Sequence, residues 1–264
     1  MNHEHAALRV FTFAPAWGLP TAGPFGLKLE ACLRMLGVAY VPVYENDNRK
    51  GPKRKSPWIE DGRSAATPLR QMSNDRTVRM GDTECILDHL HETRGVTLDE
   101  GLSPVQRAES HVLRRMLEEH YHQVFEYELV VLDEGFVHLR KIFAAQMPSP
   151  MVALVAPLVR RGFKKHLFER GIARHTPEQV SAMGRADVDA LATWLGDRQW
   201  FIADEPTKAD ATAFGLLAVS IRSPLTTPVC AYARSKPNLV AFVDRALARW
   251  FPEHGATVRE RAAA

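Results

Sequence analysis

An α/β segment followed by an all-helical segment is the fold class this sequence predicts, and two observations predict it. Strand and helix signals mix over roughly the first hundred residues, whereas residues 103 to 251 carry mostly helical signals. The change falls at Ser103-Pro104-Val105-Gln106, a helix start of capping-box form: Ser103 caps, Pro104 sits in the first turn and Gln106 reaches back. Residues 1–95 and 103–252 are therefore expected as two domains, with 253–264 as a frayed tail.

The elements follow in order. Arg9 to Phe13 (RVFTF) alternates polar with bulky residues and reads as a strand. Pro24 lacks an amide hydrogen and has a backbone angle suited to a first helical turn. Phe25, Leu29, Cys32, Leu33 and Leu36 then recur on one helix face that Gly37 can end. Tyr40 to Tyr44 (YVPVY) is rich in β-formers. The helix opened by Ser103 is expected to run past Tyr121, with Val112, Met116 and Val124 in its apolar stripe. Three prolines between Met147 and Pro157 predict a turn or a kinked helix. The basic stretch VRRGFKKHLFERGIARHTPEQV reads as a solvated helix, then a loop and a new helix capped by Thr176. In DEPTKADATAFGLLAVSI, Thr207 caps and Asp210 returns a bond to the cap backbone, ahead of an apolar run from Ala211 to Ile221. That helix reads as the centre of the second domain, which makes Thr207 and Asp210 structural.

Composition excludes several classes of function. Apolar residues make up 45% and charged residues 25%, as in a globular protein, and the net charge of +3 is too small for a nucleic-acid binder. No apolar run reaches about 18 residues and MNHEHAALRV has no signal-peptide form, so no membrane span and a cytoplasmic location are expected. Cys32, Cys85 and Cys230 are scattered without C-x-x-C spacing and read as small buried hydrophobes. His89, His91, His111, His120 and His122 lack a third ligand at fixed spacing, so no metal is expected.

The chemistry gathers at TAGPFGLKLE. A helix start after a buried strand offers free amides to an anion and lowers the pKa of a thiol held there. Gly23 and Gly26 nevertheless occupy the two places where a C-x-x-C or S-x-x-C pair would sit. The position suits a thiolate but carries no thiol of its own.

Six segments, GPFGLKLEACLRMLGVAY, RKGPKRKSPWIEDG, RMGDTECILDHL, GIARHTPEQV, GDRQWFIADEPTKADATAFGLLA and NLVAFVDRALARWFPE, resemble successive signature segments of one family. That family is the failed-axon-connections and metaxin branch of the glutathione S-transferase superfamily, and the resemblance covers residues 9 to about 252. It implies a thioredoxin-like N-terminal domain, β-α-β then β-β-α, followed by a helical transferase C-terminal domain. It also implies glutathione as substrate, a small electrophile of unknown identity as its partner in the reaction, and a possible homodimer.

The resemblance carries over to single residues. Pro57 resembles the cis-proline opening the third strand, with the Trp58 backbone pairing the cysteinyl part of glutathione. In an alternative register Thr67-Pro68 takes that place, with Leu69 to Met72 and Thr77 to Met80 as the hairpin. Asp82 and Thr83 resemble the pair that binds the γ-glutamyl end, Thr83 through hydroxyl and amide and Asp82 facing the ammonium. Lys55, or one of Arg49, Lys50, Lys53 and Arg54, would hold the glycyl carboxylate. Residues 61–76 look like an insertion between the third and fourth strands. With Gly23 and Gly26 in place of the usual serine or cysteine, the Gly23 backbone and the hydroxyl of Thr21 or Thr12 are the candidate activating groups. Tyr121, Phe125 and Tyr127 are candidates for the electrophile pocket. A catalytically silent interaction or scaffold protein is the alternative, since metaxin relatives act in assemblies at membranes; no C-terminal apolar anchor is seen here.

Overall fold

A computed structural model describes residues 8–62 and 77–254. Strand β1 (Leu8–Thr12) lies inside a four-stranded sheet of order β2-β1-β3-β4, parallel to β2 (Tyr40–Tyr44) and antiparallel to β3 (Trp58–Gly62). Helix α1 (Pro24–Met35) makes the crossover, β4 (Thr77–Gly81) pairs antiparallel with β3, and α2 (Thr83–Arg94) follows. Pro42 falls in β2, at the sheet edge, where a missing N–H is tolerated. Leu8, Val10, Leu29, Leu33, Ile59, Ile86 and Leu90 form the core between sheet and helices. This is the expected thioredoxin-like arrangement.

The helical domain is built on one long rod. α3 (Pro104–Arg115) runs into a π-helical turn at Met116–Tyr121, a short α4 (His122–Glu126) and a second π-helical turn at Tyr127–Val131. Then come α5 (Asp133–Ala144), α6 (Ser149–Glu169), α7 (Pro177–Leu195), α8 (Lys208–Arg222), α9 (Pro228–Arg234) and α10 (Pro237–Trp250). Ser103 and Gln106 form the capping box read from the sequence, and the cap expected at Thr176 is a capping box as well, completed by Gln179. α8 is buried from Ala209 to Ile221, and Trp200, Phe201, Phe214, Phe242, Trp250 and Phe251 cluster around it.

Several expectations need correction. Val112 faces solvent, and Leu113 and Leu117 are buried instead, because the rod packs one residue further round. α1 is buried on nearly all sides from Gly26 to Leu33, since the sheet covers one face and α8 the other. Cys85 is exposed, whereas Cys32 and Cys230 are buried and burial pushes both thiols up to about 12. The insertion expected from residue 61 begins later, because Asp61 and Gly62 pair with Val78 and Thr77 inside the sheet. The Thr67-Pro68 register and the frayed tail from residue 255 onward lie outside the described residues.

The two domains meet at α1 and α8. A side chain at Gly215 would place its Cβ 2.4 Å from the Pro24 carbonyl, so glycine lets α8 lie against the backbone of α1. Lys28, buried on α1, bonds Glu84 at 3.2 Å and Glu118 at 2.7 Å, and Glu84 also meets Arg114 at 2.5 Å. These cations hold the Glu84 carboxyl down at about 2 against the opposing effect of burial. Breaking one partner of such a cluster strands a buried charge, so it fixes how the domains dock.

Candidate functional site

The sheet register sets out the site. Phe11, Trp58 and Gly81 lie in one row across β1, β3 and β4, so the residues beyond them, Thr12-Phe13, Pro57 and Asp82, line one sheet edge. The Ser56–Pro57 peptide bond is cis. α1 starts from the loop after β1 and α2 directly after β4, so both helix starts open at this same edge.

At the α1 start the threonines are committed. Thr12 and Thr21 are fully buried; the Thr12 hydroxyl donates to Thr21 Oγ1 at 2.9 Å, and the Gly23 N–H donates to the same oxygen at 3.1 Å. A Cβ at Gly26 would stand 2.2 Å from Thr12 Oγ1, and one at Gly23 would stand 2.7 Å from the Phe13 ring. The space that a cysteine would need at 26 is therefore filled by the Thr12–Thr21 contact. No side chain caps α1, Pro24 has no N–H, and Leu27 already donates to the Gly23 carbonyl. The first-turn amides left over are those of Phe25 and Gly26.

Trp58 stacks on Phe11 with ring centroids 3.6 Å apart, and Arg79 covers its other side. In a central antiparallel strand the N–H and C=O of one residue face the same neighbour, so the sheet uses the Trp58 backbone. Trp58 thus positions the Pro57 loop, and the peptide groups just before it are the ones at the edge.

At the α2 start Asp82 takes a backbone conformation with φ of 82°, and its carboxylate accepts the amides of Glu84 at 3.1 Å and Cys85 at 3.4 Å. Thr83 is buried, and its hydroxyl has no hydrogen-bond partner among the described residues. Asp82 therefore serves as the helix cap, while Thr83 keeps a free hydroxyl at the helix start.

In the basic loop, Arg49 pairs with Asp47 at 2.7 Å and Lys50 with Glu45 at 2.6 Å. Lys55 is exposed, and its charge bears on His122 and Glu126 of the helical domain.

The facing wall differs from the expected aromatics. Tyr121, Phe125 and Tyr127 are buried in the core, Tyr121 bonding Ser220 at 2.9 Å and Tyr127 lining a separate cavity of ≈ 360 Å³ with Glu128 and Pro177. The residue that meets the α1 start is His122, edge-on to Phe25 at 4.8 Å. The sequence marks His122 only through its H-x-H pairing with His120, as a metal-ligand candidate; its i, i+4 relation to Glu126 was the one hint of this other setting. Elsewhere, His89 bonds Asp61 at 2.9 Å and His120 bonds Asp187 at 2.6 Å. No group of three metal-ligating side chains, and no helix long and apolar enough to cross a membrane, occurs among the described residues.

Known proteins share this fold. The glutathione S-transferase N-terminal domain model matches residues 24–135, and the glutathione S-transferase C-terminal domain model matches residues 184–246. Failed axon connections of Drosophila melanogaster is 27% identical over 96% of this chain, which spans only 60% of that protein's length. An isoprene-epoxide–glutathione S-transferase of Rhodococcus sp. (strain AD45) is 26% identical over 90% of this chain and 97% of its own. Metaxin-1 of Macaca fascicularis is 25% identical over 96% of this chain and 78% of its own. Among solved structures, a beta-etherase from Sphingobium sp. strain SYK-6 aligns with a TM-score of 0.60 at 17% identity, covering 96% of this chain and all of that one. A glutathione transferase family member from Pseudomonas fluorescens pf-5, with two glutathione bound, aligns with a TM-score of 0.56 at 13% identity over 96% and 95%. At such identities the structures bear on the fold alone. The chain belongs to the glutathione S-transferase superfamily and is similar within it to failed axon connections and the metaxins.

Proposed function

We propose that this protein binds glutathione along the sheet edge and transfers it to a small electrophile. The observation that carries this reading is the row Phe11, Trp58, Gly81. It brings the α1 start, the Pro57 loop and the α2 start across three adjacent strands. The outer two of those strands lie about 10 Å apart, the span of an extended tripeptide. In this reading Thr83, with its free hydroxyl and the amides of the α2 start, takes the γ-glutamyl carboxylate, and Asp82 lies beside the ammonium. The Ser56–Pro57 segment ahead of Trp58 faces the cysteinyl part, and Lys55 takes the glycyl carboxylate.

The sulfur lies at the α1 start, where the Phe25 and Gly26 amides favour the thiolate and Gly23 lets it approach the backbone. Thr21 supports this loop from below. Losing a side-chain donor in an active site costs about 3 kcal/mol, roughly a hundredfold in rate, so slow turnover is expected rather than none. The isoprene-epoxide transferase makes a small epoxide the first electrophile to test.

A catalytically silent interaction role is the second reading, favoured by the committed hydroxyls of Thr12 and Thr21. Thiol consumption with purified protein, glutathione and an epoxide separates the two: a protein-dependent rate supports transfer. Glutathione binding without any such rate supports the silent role.

A further inference from the structure

Across from the α1 start, one helical turn carries polar groups whose hydrogen bonds are unmade. His122 Nε2 stands 3.7 Å from Glu126 Oε1, beyond hydrogen-bond range. Glu126 Oε2 is buried without a hydrogen bond, and the nearest cation, Arg170, is 4.0 Å away. Glu128, two residues on, shows the opposite state: it accepts from the Thr227 hydroxyl at 2.7 Å and from the amides of Val229 and Cys230 at 2.7 and 3.0 Å. Glu128 is thus a satisfied anchor for α9, whereas Glu126 is a partly buried carboxyl with one buried oxygen left without a hydrogen bond. π-helical turns bracket this turn on both sides, and such turns recur at functional sites. His122 touches Phe25 at the α1 start, and Lys55 and Arg170 are the charges that face the pair.

We propose that His122 and Glu126 serve the oxygen of a small epoxide: His122 donates a hydrogen bond to it and Glu126 protonates it as the glutathione sulfur attacks the adjacent carbon. The assignment rests on the glutathione reading above. The thiol proton leaves to water when the thiolate forms. The S–C bond then forms as the C–O bond breaks, and the electron pair stays on oxygen. That oxygen takes the Glu126 carboxyl proton, and the carboxylate left behind recovers one from water. Burial raises the Glu126 carboxyl above its usual range despite Arg170 and Lys55, which favours the protonated form that the step needs. Burial first, then the charges of Arg170 and Lys55, lower His122 to about 3, so its ring is neutral and donates through one nitrogen.

The test compares two electrophiles, 1,2-epoxybutane, whose oxygen needs a proton, and 1-iodobutane, whose iodide does not. Glu126→Gln and His122→Gln are each expected to lower kcat/KM for the epoxide about 100-fold while changing the iodide reaction less than about threefold. Glutathione affinity by calorimetry should stay at the wild-type value in both. Equal losses on both electrophiles, or no loss on the epoxide, overturn the assignment. If Glu126→Gln fails to fold, His122→Gln alone decides by the same comparison, with His122→Asn as its replacement. Wild-type protein that binds glutathione yet opens no epoxide overturns this assignment alone; wild-type protein that binds no glutathione overturns the underlying reading as well.

Discussion

The starts of α8 and α1, the two helices that pack together at the domain junction, are built in opposite ways. At α8, Asp210 is fully buried and accepts from the Phe201 amide at 2.7 Å, the Thr207 amide at 2.8 Å and the Thr207 hydroxyl at 2.8 Å. The Thr207 hydroxyl thus donates to Asp210, a refinement of the cap expected from T-x-x-D. At α1 a glycine stands at the cap position, no side chain caps the helix, and the nearby hydroxyls turn inward. A helix start that serves only stability uses its donors within the chain. One that leaves donors open at the strand ends keeps them available to water or to a ligand.

The largest expected effect lies at the closed end. Asp210→Ala strands two buried amides and should cost about 4 kcal/mol, read as a lower urea midpoint. Next, Gly26→Ala should cost about 2 kcal/mol through its clash with Thr12. Combining it with Thr12→Ala should recover part of that loss, whereas simple additivity would show that the two positions do not compete for space.

A pH effect is expected at His122. His122 titrates near 6.5 when unfolded and at about 3 in the fold, so the unfolded chain takes up the proton first. Its contribution to stability is complete above pH 6.5 and is lost as pH falls towards 3. The thermal midpoint should therefore decline over that window, and less steeply in His122→Phe. The groups facing it, the charges of Lys55 and Arg170 and the carboxyl of Glu126, stay in place in that variant. Smallest is Cys85→Ser, at an exposed position, with an expected change within about 0.5 kcal/mol and unaltered glutathione binding.

The fold was legible because its signals are local. Pro24, Ser103, Thr176 and Thr207 announce helix starts through their own chemistry, and the strand patterns need only their neighbours. In the candidate site the same kind of signal marks only the helix start at Asp82-Thr83. The roles of Thr12 and Thr21 depend on a contact between residues nine apart across a loop, and that of His122 on a contact with Phe25 from another domain. Neither leaves a periodic mark. Val112 shows the same limit on a smaller scale, since the rod's rotation is set by what it packs against.

The central claim is that the sheet edge binds glutathione through the free Thr83 hydroxyl. Calorimetric titration of wild-type protein and Thr83→Ala with glutathione, alongside an S-alkyl glutathione that lacks a free thiol, tests it most directly. The account predicts saturable binding of both ligands to the wild type, and affinity about tenfold weaker in Thr83→Ala, the loss of one hydrogen bond to a charged group. No heat and no thermal stabilisation at millimolar ligand would contradict it and leave the fold as a scaffold with a disused site.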